Sequence, residues 1–304
     1  MTYDAAIIGG GPGGLTAAIY TCRAGWKTVL LEMGAPGGQA ATTDMIENYP
    51  GFPEGIAGPD LMIKFYEQAL RFGCEVITAE AIKVQDEGNR KVVTTTRGEI
   101  EAKAVVVATG TRSRELGVRG EKELRGRGVS YCATCDGFFF KDKKAAVVGG
   151  GDSAVKEAVY LARIAREVII IHRRDSFRAA KVLGERAIKT PNIKIMWDTV
   201  VDEMLGENSL QRLRVHNVKT QESSEVDVDG VFLYVGTQPN TGFLDDAIHR
   251  NPQGYVTTNE KLETSVKGIY AIGDCRDKGS RQVATAVGDG ASVLEALDEY
   301  LHTL

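Results

Sequence analysis

Cys132-Ala133-Thr134-Cys135-Asp136 is the stretch of this chain best suited to chemistry. Two intervening residues let the sulfurs close a small disulfide ring, and this arrangement favours a thiolate on one of them near neutral pH. Asp136 follows directly and is placed to exchange a proton with a leaving thiolate. Three other readings compete. Zinc would need two more ligands, yet there is no second C-x-x-C and the four histidines are scattered. An inert buried pair is the second, and Asp136 as a plain turn or helix cap is the third. Of the other cysteines, Cys22 and Cys74 fall on expected core positions in a helix and a strand, where packing accounts for them. Cys275 follows Gly273-Asp274 near a candidate cofactor site, and nothing requires it to react.

Two glycine turns flank this dithiol in sequence. The first, Gly9-Gly10-Gly11-Pro12-Gly13-Gly14, satisfies G-x-G-x-x-G: Gly9 for a tight turn, Gly11 for close approach of a pyrophosphate, Gly14 for helix–strand packing. The diphosphate is expected at the following helix N-terminus. Glu32 closes the next strand, where a carboxylate accepts ribose hydroxyls and repels a 2′-phosphate. The second turn, Gly149-Gly150-Gly151-Asp152-Ser153-Ala154, is the G-x-G-x-x-A variant. Its strand ends not in an acid but in His172-Arg173-Arg174, with Arg178 beyond. Cations there suit a 2′-phosphate, so this site is expected to prefer NADPH to NADH. The first motif alone admits NAD or FAD. Chemistry favours FAD, because a flavin takes hydride from a nicotinamide and passes electrons to a disulfide.

The elements that position these groups repeat. Ala5–Ile8 and Ala145–Val148 are short apolar runs that read as buried parallel strands, each leading into a glycine turn and a helix, about 13–24 and 152–165. A second strand follows each helix (28–31 and 168–171), then alternating segments near 82–101 and 200–229 that read as hairpins. Each copy closes on a strand and a glycine, at Gly110 and Gly236. The remainder supplies a short strand near 254–258, one ending at Gly273 and a helix over roughly 283–301, too little to fold alone. The expected fold is therefore α/β, with two Rossmann-like dinucleotide-binding domains (three-layer β/β/α), the second inserted in the first. An FAD domain is expected at 1–112 and 242–304, and an NADPH domain carrying the C-x-x-C at 113–241.

Composition agrees. At 304 residues, 43% hydrophobic and 26% charged, the chain has enough apolar material for two cores and is not disordered. A net charge of −4 gives no nucleic-acid footprint. No apolar run is long enough to span a bilayer. Met1-Thr2-Tyr3-Asp4 has no basic n-region, and five cysteines make no disulfide scaffold, so a reducing, cytoplasmic setting is expected.

Gly128-Val129-Ser130-Tyr131 before Cys132-Ala133-Thr134-Cys135-Asp136-Gly137 resembles the active centre of the low-molecular-weight thioredoxin reductases. The resemblance extends through Gly37-Gly38-Gln39, Glu47-Asn48-Tyr49-Pro50-Gly51, both glycine turns, the basic cluster, Gly273-Asp274 and Arg281-Gln282-Val283. It implies FAD bound by the first domain together with the C-terminal segment. Gly37, Gly38, Gln39 and Asn48 would lie around the flavin, Asp274 at the ribityl–pyrophosphate region, and Arg281, Gln282 and Val283 towards the isoalloxazine. It further implies that Cys135 faces the flavin, that Cys132 attacks the disulfide of thioredoxin, and that Asp136 is the acid/base. Homodimers, and a domain rotation between half-reactions, are also implied.

Overall fold

The computed structural model describes residues 2–43 and 45–304; Met1, the first residue of the expected FAD domain, and Asp44 lie outside them. In chain order the elements begin β1 (Thr2–Ile8), α1 (Pro12–Arg23), β2 (Thr28–Glu32), α2 (Gly58–Arg71), β3 (Glu75–Thr78), β4 (Ala81–Asp86), β5 (Lys91–Thr95), β6 (Gly98–Val107) and β7 (Thr111–Ser113). Then come β8 (Val129–Ser130), α3 (Ala133–Asp136), β9 (Lys144–Val148), α4 (Asp152–Leu161), β10 (Glu167–Ile171), α5 (Lys181–Lys189) and β11 (Ile193–Met196). β12 (Thr199–Leu205), β13 (Arg212–Asn217), β14 (Ser223–Asp227), β15 (Gly230–Leu233), β16 (Thr237–Pro239), β17 (Ile269–Ala271) and α6 (Val283–Leu301) complete the list.

The chain divides into two compact units, Met1–Arg112 with Gln238–Leu304, and Ser113–Thr237. The two crossings between them lie side by side, because β7 pairs with β16. In the first unit β3-β2-β1-β6-β17 run parallel, and the first half of β6 continues into the antiparallel β5 and β4. The hairpin layer is thus hydrogen-bonded to the parallel sheet through one long strand.

Alternation along the strands explains the layers. Ala5, Ile7, Leu30, Ala104 and Val106 face α1 and α6, whereas Ala6, Ile8, Leu31, Val105 and Val107 face Val84 and Val93 of the hairpin. The second unit repeats the plan with a parallel sheet β11-β10-β9-β15-β8 and a separate antiparallel sheet β12-β13-β14. Ala145, Val147, Val168 and Ile170 pack on α4; Ala146, Val148, Ile169 and Ile171 pack on Val201, Met204 and Leu213. Both faces of each parallel sheet are covered, so the central strands carry buried apolar runs such as Ala5–Ile8, Ala104–Val107, Ala145–Val148 and Val168–Ile171.

The structure differs from the sequence expectation in two places. The segment near 254–258 forms no strand; Val256 makes only isolated bridges to Arg250 and Arg276, too few for a ladder. α4 stops at Leu161, and Arg163 and Ile164 close tighter turns back onto Tyr160 and Leu161. Among the described residues no helix is long and apolar enough to cross a membrane.

Candidate functional site

Each glycine turn leads from a strand into a helix whose first N–H groups have no side-chain cap. α1 starts at Pro12, which suits the first helical position, after Gly11 as N-cap; α4 starts after Gly151. Open space surrounds the Cβ position of Gly11 and of Gly151, so a ligand can approach the backbone there. Gly9 and Gly149 sit at φ +107° and +146°, and a Cβ on either would lie 2.5 Å from a strand carbonyl oxygen, Ala108 O or Tyr234 O. Gly14 and Ala154 press the helices onto Gly9 and Gly149 respectively. The arrangement presents free backbone donors and the positive end of a helix dipole, which suits a diphosphate.

In the first unit the Glu32 carboxylate accepts the Gly10 N–H (2.7 Å) and the Gly34 N–H (3.0 Å), which fixes it beside the turn. Gly37 is buried and donates its N–H to Gly10 O (2.7 Å), bringing Gly38 against Gly11. The Gln39 amide donates to the carbonyl and hydroxyl oxygens of Thr111. Asn48 donates to Gln282 Oε1 (2.9 Å), and Gln282 caps α6 in a capping box with Thr285. Val283 packs against the small core of Ala40, Ile46, Leu61 and Met62. Arg281 lies with its guanidinium 4.0 Å from the centre of the Tyr255 ring and donates to Asp274 O (3.4 Å).

Asp274 carries the clearest sign of a ligand. Its Oδ1 is buried without a hydrogen-bond partner, and burial pushes the carboxyl above the ordinary carboxylate range. An acceptor in that state fits the hydroxyls of a ribityl chain. The strand, turn and helix that carry it are held from below by Asp289, which the sequence reading did not single out. Asp289 accepts both Arg276 Nε and Nη2 (2.9 Å each), Lys278 Nζ (2.9 Å) and the Gly273 N–H (2.8 Å). Burial raises its pKa, but these bonds outweigh burial and hold it below the usual range. Cys275 is fully buried, and its thiol is pushed up to about 11 by burial, so it is a core residue.

In the second unit the basic cluster divides. His172 is buried beneath Gly150, stacks on Phe177 and bonds Ser176 O (3.1 Å); burial and then the neighbouring arginines depress its pKa. It is therefore a neutral floor to the turn. Arg173, Arg174 and Arg178 are exposed, and among the described residues none of the three guanidinium groups forms an ion pair. Asp175, which could have neutralised them, pairs instead with Lys219 (3.3 Å). The Arg178 N–H donates to Gly150 O (2.7 Å), and the Ala180 N–H to Asp152 Oδ1 (2.7 Å), so the basic loop is tied to the helix start. Ser153 is exposed in the first turn of α4.

The dithiol belongs to the same unit. Cys132 and Cys135 are joined as a disulfide with their Cα atoms 5.3 Å apart, at the start of α3. The half-buried Cys132 Sγ accepts the Cys135 N–H (3.2 Å) and lies 3.4 Å from Thr134 Oγ1. Those donors stabilise negative charge on that sulfur once the bond opens. Asp136 is half-buried and accepts Ser130 Oγ–H (2.6 Å), while Ser130 Oγ accepts the Cys132 N–H (3.1 Å). The hydroxyl of the half-buried Tyr234 accepts the Ala133 N–H (2.9 Å); burial, then nearby acids, raise its pKa. Ser130 and Tyr234 were missed from sequence because their roles arise only when β8 and β15 pair beside α3. Among the described residues no cluster of His, Cys, Asp or Glu could hold a metal ion.

Residues 3–290 match the family described as pyridine nucleotide-disulphide oxidoreductase. The chain is 46% identical over 303 residues to thioredoxin reductase from Bacillus subtilis (strain 168), covering 99% of this chain and 96% of the relative. It is 42% identical over 302 residues to the thioredoxin reductase of Treponema pallidum (strain Nichols), covering 99% and 98%. Among solved structures, Lactococcus lactis thioredoxin reductase, described as the FR conformation, superposes with a TM-score of 0.98 at 43% identity, covering 99% and 100%.

Proposed function

Because the chain belongs to the pyridine nucleotide-disulphide oxidoreductase family, we propose that it is a thioredoxin reductase that draws electrons from NADPH. FAD and NADPH are the cofactors of this family. In this reading the first unit holds FAD through Gly9, Gly11, Gly14, Glu32, Gly38 and the Asp274–Val283 segment. The second holds NADPH through Gly149, Gly151 and the three exposed arginines. The chemistry supplied by bound FAD is a two-electron relay between a nicotinamide and a disulfide.

The residues of the chain do the rest. Two electrons and a proton open the Cys132–Cys135 bond, leaving one sulfur as thiolate. The thiolate of Cys132, supported by the Cys135 N–H, attacks a thioredoxin sulfur; Asp136 hands a proton to the sulfur that leaves. Cys135 then attacks Cys132 in the mixed disulfide, releasing dithiol thioredoxin and closing the ring. The net change is NADPH, a proton and thioredoxin disulfide to NADP⁺ and thioredoxin dithiol. Phe138 and Phe139, 73% and 69% exposed just beyond the dithiol, offer an apolar docking face to the protein substrate. The dithiol and the NADPH residues share one unit and must serve one flavin on the other, so the units turn about the two crossings between half-reactions. The reading also includes a homodimer in the cytoplasm with no nucleic-acid or membrane partner.

The observation that carries it is the Cys132–Cys135 disulfide with Asp136 held beside it, in a unit that also carries a basic dinucleotide turn. Anaerobic NADPH titration of the FAD-loaded protein tests it. Flavin bleaching should be accompanied by two new thiols, and the reduced protein should then drive insulin reduction only when thioredoxin is added. Bleaching with no new thiols, or insulin reduction independent of thioredoxin, overturns it.

A further inference from the structure

Glu121 is 1% exposed, and neither the dithiol chemistry nor a glycine turn makes use of it. Its carboxylate accepts three hydrogen bonds: Oε1 takes the Leu116 N–H (2.8 Å) and the Tyr131 O–H (2.6 Å), and Oε2 takes the Gly117 N–H (2.6 Å). Burying a carboxylate is costly, and packing alone would be served as well by an apolar side chain. The positions of its donors give it a use. Leu116 and Gly117 lie at the start of the second unit, just past β7, and Tyr131 directly precedes Cys132. The paired residues of β8 and β15 end at Ser130. Past that point the Tyr131 side chain is held by Glu121 on its hydroxyl and by the Arg125 guanidinium, 4.9 Å from its ring centre. Burial, then the bond to Glu121, raise the Tyr131 pKa, so the phenol keeps its proton and remains a donor at neutral pH.

We propose that Glu121 and Tyr131 are positioning residues for Cys132, a buried strut that aims the attacking sulfur through the peptide before it. The proposal rests on the reading of Cys132 as the attacking cysteine. Cys132 has an extended backbone (φ −142°, ψ 101°). In that setting its Sγ accepts the Cys135 N–H (3.2 Å), and its own N–H goes to Ser130 Oγ (3.1 Å). Both bonds depend on the direction of the Tyr131–Cys132 peptide. The phenol anchors that direction to Leu116 and Gly117, so the loop that enters the unit and the dithiol hold one geometry. Neither residue touches a reacting atom. They act on how often Cys132 stands ready for a docked disulfide, and leave the docking itself and the NADPH site alone.

Tyr131→Phe removes the hydroxyl and keeps the ring, whereas Glu121→Gln keeps the shape and turns an amide N–H₂ towards one of the donors. FAD-loaded protein, reduced anaerobically with NADPH, is mixed with oxidised thioredoxin over a range of concentrations, and thioredoxin thiols are followed through a single turnover. In Tyr131→Phe the limiting rate should fall by about three- to tenfold, the effect of one lost hydrogen bond. The half-saturating thioredoxin concentration and the rate of flavin bleaching by NADPH should stay unchanged. Glu121→Gln should slow the same step, and the double variant should lose less than the product of the two single effects, because both act through one contact. Retention of the flavin spectrum shows that each variant is folded; if Glu121→Gln fails to hold FAD, Tyr131→Phe alone decides. An unchanged limiting rate in Tyr131→Phe, a raised half-saturating concentration in place of a slower step, equally slowed bleaching, or fully multiplicative losses in the double variant each overturns the proposal while the unaltered protein still reduces thioredoxin. Failure of the unaltered protein to do so overturns the reading and the proposal with it.

Discussion

Ser130 Oγ donates a 2.6 Å hydrogen bond to Asp136 Oδ2, and the same oxygen receives the Cys132 N–H at 3.1 Å. One buried hydroxyl therefore fixes both the Asp136 carboxylate, proposed as acid/base, and the backbone of Cys132, proposed as the attacking cysteine. A hydrogen bond to a charged group contributes about 1.5–3 kcal/mol. Ser130→Ala should slow thioredoxin reduction by roughly ten- to a hundredfold, by that free energy at about 1.4 kcal/mol per decade. Flavin reduction by NADPH should be unchanged. Stopped-flow measurement of the two half-reactions separates them, and Ser130→Thr should restore part of the rate. Equal slowing of both would mean that Ser130 acts only through folding.

Arg173 and Arg174 stand exposed, and among the described residues no carboxylate pairs with them, Asp175 being held by Lys219. Replacing both with alanine should raise KM for NADPH by about ten- to a hundredfold and leave KM for NADH within roughly twofold, because only the former carries a 2′-phosphate. Steady-state kinetics with both nucleotides gives the ratio.

Asp274 and Asp289 lie close in the fold and titrate in opposite senses. The Asp274 carboxyl is raised by burial, so the folded apoprotein holds this proton more tightly than the unfolded chain does. The stability it contributes is present below its unfolded value, near 4, and is lost as pH rises through the folded value. Asp274→Asn should therefore raise the apoprotein Tm at pH 7, with the gain vanishing as pH falls below about 4. The same change should weaken FAD binding by about tenfold, measured by flavin fluorescence.

Asp289 is depressed, so its contribution is present above the unfolded value and is lost as pH falls through the folded one. Asp289→Asn should cost about 1.5–3 kcal/mol at pH 7. It should also speed FAD release, because Arg276, Lys278 and Gly273 lose the anion that gathers them. Denaturation of the apoprotein and the rate of flavin loss from the holoprotein read the two effects separately.

Much of this architecture is legible in the chain. Ala5–Ile8 and Ala145–Val148 are too short and too apolar for surface helices, and each runs into glycines, so strand, turn and helix follow from local chemistry. Residues near 254–258 alternate like a strand, but whether a strand forms depends on a neighbour to pair with, and Val256 finds only two isolated bridges. The site was legible where function needs a backbone conformation or a reactive sulfur, as at Gly9 and Cys132. It was opaque where support comes from tertiary proximity: Asp289 reaches back to Arg276 across the start of α6, and Tyr234, just past β15, reaches Ala133 of α3. His172 lay between, found by position yet turned inward by its apolar neighbours.

The insertion of one unit within the other fixes a timetable for synthesis. Ser113–Thr237 emerges from the ribosome as an uninterrupted compact unit, whereas Met1–Arg112 must wait for β17 and α6, which are made after it. The nascent chain therefore carries a finished nucleotide fold in its middle while its own beginning still lacks a sheet partner and a covering helix. If Gly11 and Asp274 both hold FAD as proposed, the yellow cofactor should be captured only once the segment carrying Asp274 has been made. C-terminal truncation should yield colourless protein in which the middle still folds.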